Sequence, residues 1–380
     1  IPLRLVGSEM CIRDRVKETD IIMALWKKNE VTVDITNYRH YWRAPKKWGK
    51  TTLFANLIKE LYGDMSHGLL ISCGNERGYL ALDNLMVADC PDWSTLMEVV
   101  DELVENKDEN SFSIIAFDTV DEWISMAQKE IVRLDYKKSG TKHEFNACFG
   151  GYGAGRRKVD ELINSVITRL ESSGYCLVFI GHTKIKDIKE KNGDEYQMLT
   201  SNLSTDYDSI FANKADICMM GVIEREITDG HVDGVSRWMY FRGNGYIDAG
   251  GRFEDIADRV EVSAKNYIDT VKDAIKNSIK SHDATDEYIE SKSKQEKKEK
   301  EDYYNSHKED LMETDELDVE IRKDEECKNL KAEIKGVLSS LSPEDKKAKR
   351  AAIKEAGLPD QFAKVTDIAI LNQILEVVSQ

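Results

Sequence analysis

The chain has 380 residues, 41% of them hydrophobic and 33% charged, with a net charge of −16. That apolar content supports the core of one large domain plus a smaller one and excludes a wholly disordered chain. The acidic balance argues against a protein that coats DNA indiscriminately, and no apolar run approaches the roughly 20 residues of a membrane span.

The acidity is uneven. Asp283 to Glu326 holds 18 acidic and 8 basic residues, which leaves room for basic patches elsewhere. Cys11, Cys73, Cys90, Cys148, Cys176, Cys218 and Cys327 form no CxxC pair and no metal-ligand spacing, so they read as reduced thiols of a cytoplasmic protein. Leu5 to Arg15, LVGSEMCIRDR, is the translation of a transposase library adapter. Residues 1–15 are therefore read as a sequencing scar, with Met23 rather than Met10 as the expected start.

Val31 to Ile35 alternates apolar and polar residues and Tyr38 to Trp42 is aromatic, so both are predicted as short strands. Thr51 to Tyr62 has helical spacing, with Leu53, Phe54, Leu57, Ile58 and Leu61 on one face. Gly68 to Cys73 is an apolar strand, Ser94 to Glu105 an amphipathic helix, and Ser113 to Phe117 a buried strand ending at Asp118. Helices are predicted over Val120–Leu134 and Val159–Ser172, and strands over Tyr175–Ile180, Ala215–Val222 and Arg237–Arg242. Strands alternating with helices imply an α/β domain with a mainly parallel central sheet.

Beyond Ser263 the apolar strands stop. Asn266 to Ile279 is a helix, and Ser281 to about Lys323 is charged and nearly core-less: a solvated helix or a disordered linker. Leu330–Leu341, Ser342–Ala356 and Thr366–Val378 then form a small helical domain, with Ser342-Pro343-Glu344-Asp345 as a helix start and Gly357 as a helix end. The expected division is the scar (1–15), the α/β domain (16–265), a helix and acidic linker (266–326) and the helical domain (327–380).

One stretch carries chemistry. Ala44-Pro45-Lys46-Lys47-Trp48-Gly49-Lys50-Thr51-Thr52 lies between a strand and an amphipathic helix. A phosphate loop has the form G-x-x-x-x-G-K-[ST] in that setting: backbone amides wrap the phosphates, the lysine reaches the β and γ oxygens, and the hydroxyl binds Mg²⁺. Gly49, Lys50 and Thr51 fall in register, and Ala44 replaces the first glycine with the next smallest residue. Trp48 is bulky for its position and is expected to lean outward. A chance G-K-T at a helix start is the bland alternative; the surrounding motifs weigh against it.

Asp118, at the end of SIIAFDT, is where such a site needs an acid for Mg²⁺. Glu76, after GLLISC, is the candidate for orienting the attacking water, with Asp121 and Glu122 as rivals that begin a helix and face solvent. His182 ends the strand of CLVFIGHTK, either as a sensor of the γ-phosphate or as a plain strand cap.

APKKWGKTT, GNERG, IIAFDT, GGYGAGRRK, VFIGHTK and GNGYIDAGGRF, in this order over roughly Val31 to Val262, resemble the phage-type RecA-like nucleotide-binding ATPases, a group that includes single-strand annealing proteins of phage recombination. The resemblance implies a RecA-like P-loop core with ATP and Mg²⁺ at subunit interfaces of a ring or filament. Lys50 and Thr51 would bind phosphate and Mg²⁺, Asp118 would be the second metal-site acid, Glu76 the water-orienting glutamate and His182 the sensor. Single-stranded DNA is the expected partner, with a phage single-strand-binding protein beside it; lacking an apolar span, the chain is expected to have no membrane partner and to lie in the host cytoplasm.

In such cores the strand lies against loops after the central strands. Lys137, Lys138, Lys142, Arg156, Arg157 and Lys158, interleaved with Tyr136, Phe145, Phe149 and Tyr152, form one basic glycine-rich loop, mobile until ordered; Lys184 to Lys191, including Lys186, forms another. Cations for phosphates beside aromatics for stacking suit sequence-tolerant binding, and a solvated loop is the alternative. Arg242 and Arg252, in a predicted hairpin, are either charge donors to a neighbouring subunit's nucleotide or surface arginines. The acidic linker and KKAKRAAIK (Lys346–Lys354) could compete with DNA or recruit partners; a spacer is the plainer reading.

The readings left open are an ATPase acting on single-stranded DNA, a non-hydrolysing nucleotide-binding scaffold for replication or packaging partners, and a small-molecule kinase, for which no acceptor pocket is evident.

Overall fold

Strands β1 (His40–Ala44), β2 (Gly68–Cys73), β3 (Met86–Cys90), β4 (Ile114–Asp118), β5 (Cys176–Lys189), β6 (Glu195–Ser201), β7 (Ile217–Thr228), β8 (His231–Tyr240), β9 (Gly250–Gly251) and β10 (Arg259–Glu261) join in one sheet. Its order is β10-β8-β7-β1-β5-β4-β2-β3, with β6 on β5 and β9 on β7. From β7 to β3 the pairings are parallel; β6, β8, β9 and β10 add antiparallel ones. The computed structural model describes residues 29–379 apart from 230, 281–282, 313–315 and 360. Residues 1–15, Met23 and Cys11 lie outside the described residues.

Every residue of β1, β2 and β4 is buried, which requires cover on both sheet faces. Helix α1 (Lys50–Tyr62) covers one face; α2 (Trp93–Glu105), α3 (Val120–Ser139), α4 (Ala154–Ser172) and α5 (Thr205–Ala212) cover the other; α6 (Ala264–Ser278) returns to the first. Alternation along the strands divides the core. Trp42, Leu70 and Ala116 face α1 and α6, while Tyr41, Ile71 and Phe117 face the other helices. The α/β expectation with a mainly parallel sheet is therefore met.

Three local expectations are corrected. Val31–Ile35 is not a strand: only Ile35–Asn37 is regular, as a short 3₁₀ turn capped by Asp34, and β1 starts two residues later than expected. β5 runs on past Ile180 to Lys189 and turns back as β6, so Lys184 and Lys186 sit on a β-hairpin rather than in a loop. The edge strand β3 carries too few buried residues to stand out in the sequence.

The charged stretch after Ser281 takes the helical one of its two expected forms, largely exposed but anchored to the domain at a few points. Helix α7 (Asp286–Met312) lies across the amino-terminal edge of the sheet. Glu296 accepts hydrogen bonds from the Val33 and Asp34 amides at 2.9 and 3.1 Å and from Asn37 at 2.8 Å. Lys300 donates to Thr36 O at 3.0 Å, and buried Tyr304 donates to Val104 O at 2.7 Å. The amides of the segment expected to pair as a strand are thus satisfied by this helix, which accounts for the first correction. It binds the edge opposite the phosphate loop, so nothing in its docking covers the basic segments.

Helices α8 (Glu316–Ser340), α9 (Pro343–Glu355) and α10 (Ile368–Ser379) share their own core of Cys327, Ile334, Leu338, Ile353, Leu371, Ile374 and Val378. Ser342 caps α9 by accepting from the Asp345 amide, and Gly357 takes a positive φ of 72° past its end. Among the described residues no helix is long and apolar enough to cross a membrane, and no disulfide forms among Cys73, Cys90, Cys148, Cys176, Cys218 and Cys327.

Candidate phosphate-binding site

β1 ends at Ala44 and α1 begins at Lys50, so the loop between them lies at the carboxyl edge of the sheet, where open α/β sheets bind ligands. Gly49 is the N-cap of α1 at φ 110°, a conformation a side chain would strain. No side chain caps the helix and its first turn holds no acid, which leaves the amides and the positive end of the helix dipole open to an anion. Lys50 is buried and its Nζ donates to Ala44 O at 3.0 Å and Pro45 O at 3.3 Å. Burial pulls its pKa down against the pull of Asp118, Glu76 and Asp121. Lys46, Lys47 and Thr52 are exposed.

Trp48 does not lean outward. It is fully buried, with Nε1 donating to Val222 O at 3.1 Å. Gly221 of β7 makes this possible: a β-carbon there would lie 2.6 Å from both Ala44 Cβ and Trp48 Cε2. Ala44 and Trp48 therefore depart from the usual phosphate loop together, and a missing side chain on the next strand accommodates them. Only the backbone of Trp48 is placed to meet a ligand.

The register sets the rest of the site. Ala44 pairs with His182, Ile180 with Asp118, and Asp118 with Ser72, so the strand ends form one row. Thr51 Oγ1 donates to Asp118 Oδ2 at 2.7 Å, and Asp118 is almost fully buried. Burial raises its pKa, and the Thr51 hydrogen bond and Lys50 only partly offset this. A buried carboxylate short of positive charge beside a helix-starting hydroxyl is an oxygen donor pair that fits Mg²⁺, so Thr51 and Asp118 could hold the ion. Ser72 Oγ donates to Glu76 O at 2.7 Å and fixes the turn after β2. A β-carbon on Gly78 would lie 3.0 Å from Thr51 Oγ1 and 3.8 Å from Glu76 Oε1, so both side chains border Gly78, and Glu76 is near enough to Lys50 to raise its pKa.

Asp121 and Glu122 do begin α3, but neither points to solvent as expected. Asp121 accepts from the His182 amide at 2.9 Å and from Asn202 at 2.9 Å, and its other near neighbour is His182 Nδ1 at 3.6 Å. Burial pushes its pKa up, yet these bonds outweigh it and the pKa is lowered. Glu122 packs on Gly74, where a β-carbon would meet its Oε2 at 2.7 Å. Asp121 thus holds His182 in the row and ties it to Asn202, just past β6.

Sequence reasoning missed Arg43. It is 2% exposed and donates to Asp248 Oδ2 at 2.8 Å and Asp248 O at 2.6 Å, with Asp208 at 3.7 Å. Thr200 also donates to Asp248, so the residue before the phosphate loop is bolted to β6, α5 and the 243–251 loop. A charged residue inside an aromatic strand, HYWRA, was the available signal. Arg242 and Arg252, in that region's flanks, pair within the chain with Asp258 and Asp216.

The basic segments make defined contacts with the core. Asp135 accepts from the Phe149 amide at 2.6 Å and from His143 at 2.7 Å, and a β-carbon on Gly155 would lie 2.9 Å from Phe145 O. Gly155 is thus packed against the turn, whereas a β-carbon on Gly150 would meet nothing within 4 Å. Phe145 and Phe149 pack on the core, with Lys158 and Lys138 over the Phe149 ring at 5.0 and 6.0 Å. Arg156 pairs with Asp206, and Lys186 donates to Leu203 O at 2.7 Å. Tyr136 at 53% and Tyr152 at 99% exposure are the aromatics left open to a ligand, beside exposed Lys137, Lys138, Lys142 and Arg157. Lys184 is exposed on the hairpin.

A family model described as an AAA domain matches residues 36–253. No curated protein matches the chain. The match spans more than half the chain and contains the whole row from the phosphate loop to His182. The chain belongs to this AAA-domain family of P-loop nucleotide-binding proteins.

Proposed function

We propose that the chain is a RecA-like ATPase that hydrolyses ATP with Mg²⁺ and acts on single-stranded DNA, in annealing or strand exchange of phage recombination, as an oligomer in the host cytoplasm. The observation that carries the reading is the row of Lys50, Thr51, Asp118, Glu76 and His182 along one sheet edge, beside an uncapped helix start. Lys50 exchanges its bonds to Ala44 O and Pro45 O for the β and γ oxygens. Thr51 and Asp118 would hold Mg²⁺, which would supply charge neutralisation on the phosphates. Glu76 orients a water whose oxygen attacks the γ-phosphorus; the bond to the β–γ bridging oxygen breaks, its electron pair leaves with ADP, and the water proton passes to the carboxylate.

His182, held by Asp121, relates the γ-phosphate position to the β5–β6 hairpin. Tyr136 and Tyr152 offer stacking faces among Lys137, Lys138, Lys142 and Arg157, with Lys184 on the hairpin, as sequence-tolerant binding of single strands requires. Arg156, Lys158 and Lys186 support that surface through Asp206, Phe149 and Leu203. The nucleotide domain takes in α6, whose Tyr267, Ile268 and Val271 lie in its core, and carries the docked α7, while α8 to α10 form a separate helical unit.

ATP turnover measured with and without single-stranded DNA tests the reading. DNA-stimulated turnover that Lys50→Ala abolishes is expected. Tight nucleotide binding without turnover would favour the scaffold instead, and turnover indifferent to DNA would remove the strand-binding role.

A further inference from the structure

The phosphate loop has a cationic neighbour outside its own sequence. Arg237 of β8 pairs with Ile223 of β7, two residues from the Gly221–Met239 pair, so the pleat puts its side chain on the face where Gly221 meets Ala44 and Trp48. Its Nη1 lies 3.9 Å from where a β-carbon on Gly49 would stand. Arg237 is exposed and has no side-chain hydrogen bond or ion pair among the described residues, whereas nearby Arg259 pairs with Glu224 and Arg242 with Asp258. A guanidinium here stands by Gly49 at the positive end of α1, beside a loop that also carries the exposed Lys46 and Lys47, with no acid in the first helical turn. Such a like-charge gathering is unfavourable until an anion joins it.

We propose that Arg237 is a further nucleotide ligand, supplied by the same chain to the non-reacting α/β-phosphate end. This rests on the phosphate-loop reading above. The sheet order supports the choice of end: β8 and β7 lie on one side of β1, while β5, β4 and β2, which carry His182, Asp118 and the turn to Glu76, lie on the other. A cation on the β8 side contacts what ATP and ADP share, and it contributes equally to the ground state and the transition state.

The test is calorimetric titration of the full chain with Mg-ADP and with a non-hydrolysable Mg-ATP analogue, together with steady-state turnover, for wild type, Arg237→Ala and Arg237→Lys. Arg237→Ala is expected to weaken both nucleotides alike, by about tenfold to a hundredfold, as loss of a charge-assisted hydrogen bond implies. Arg237→Lys should recover part of that loss, while kcat and the melting temperature stay near wild type. Unchanged ADP affinity, or loss of kcat with ADP affinity intact, would overturn the assignment while leaving the phosphate loop standing. Failure of the wild type itself to bind either nucleotide would overturn both.

Discussion

Gly221→Ala is the sharpest probe of how the phosphate loop keeps its shape, because it touches no ligand. The added β-carbon would lie 2.6 Å from Ala44 Cβ and from Trp48 Cε2, against the 3.5–4.0 Å at which carbon atoms rest. About 1 Å of displacement must therefore be found. Trp48 is fully buried and its indole donates to Val222 O, so the loop backbone has to give. Overpacking of this kind costs about 1–3 kcal/mol, and each kcal/mol lowers Tm by about 2–4 °C in a domain of this size. Misplacing one charge-assisted amide contact costs on the order of tenfold in nucleotide affinity. Thermal melting and Mg-ATP titration read the two effects. Ile163→Val, buried on the opposite sheet face, is the control: it should cost about 0.5–1.5 kcal/mol and leave affinity alone. A Gly221→Ala protein that melts and binds as wild type would refute the packing argument, and so would an equal affinity loss in the control.

Other expectations follow from the same geometry. Asp118 has its pKa raised by burial, so the folded protein holds that proton longer and loses stability as pH climbs above the ordinary aspartate value of 3.8; Asp118→Asn should raise the Tm of the nucleotide-free protein at pH 7, with the gain vanishing below that value. Asp121, with its pKa lowered, has the opposite sign: it stabilises above 3.8 and ceases to as pH falls through its folded pKa, so Asp121→Asn should lower Tm at pH 7. Glu296→Ala strips acceptors from the Val33 and Asp34 amides and should cost about 1–3 kcal/mol, with hydrogen exchange rising at residues 33–37 but not in the phosphate loop. Tyr152→Ala should leave Tm unchanged yet weaken binding of an oligothymidine strand by about 1–3 kcal/mol, while Phe149→Ala should lower Tm.

What the sequence determined by itself is local and periodic: the apolar runs of β2 and β4, the amphipathic α1 and α2, and the placing of Gly49-Lys50-Thr51 and Asp118 where strands give out. These were legible because a strand or helix prints its own repeat and because a polar residue ending an apolar run must stand at a sheet edge. Tertiary structure alone decided which groups meet there. His182 joins the site because β5 lies between β1 and β4, and Asp121 turns inward because the His182 amide and Asn202 await it. Trp48 is buried because a glycine on a distant strand leaves it room, and Phe149 is spent on the core while Tyr152 stands in solvent. The acidic stretch becomes a docked helix because Glu296, Lys300 and Tyr304 find backbone partners at the far edge of the sheet. No periodicity encodes such pairings, since each depends on a partner remote in the chain whose position only the folded sheet supplies.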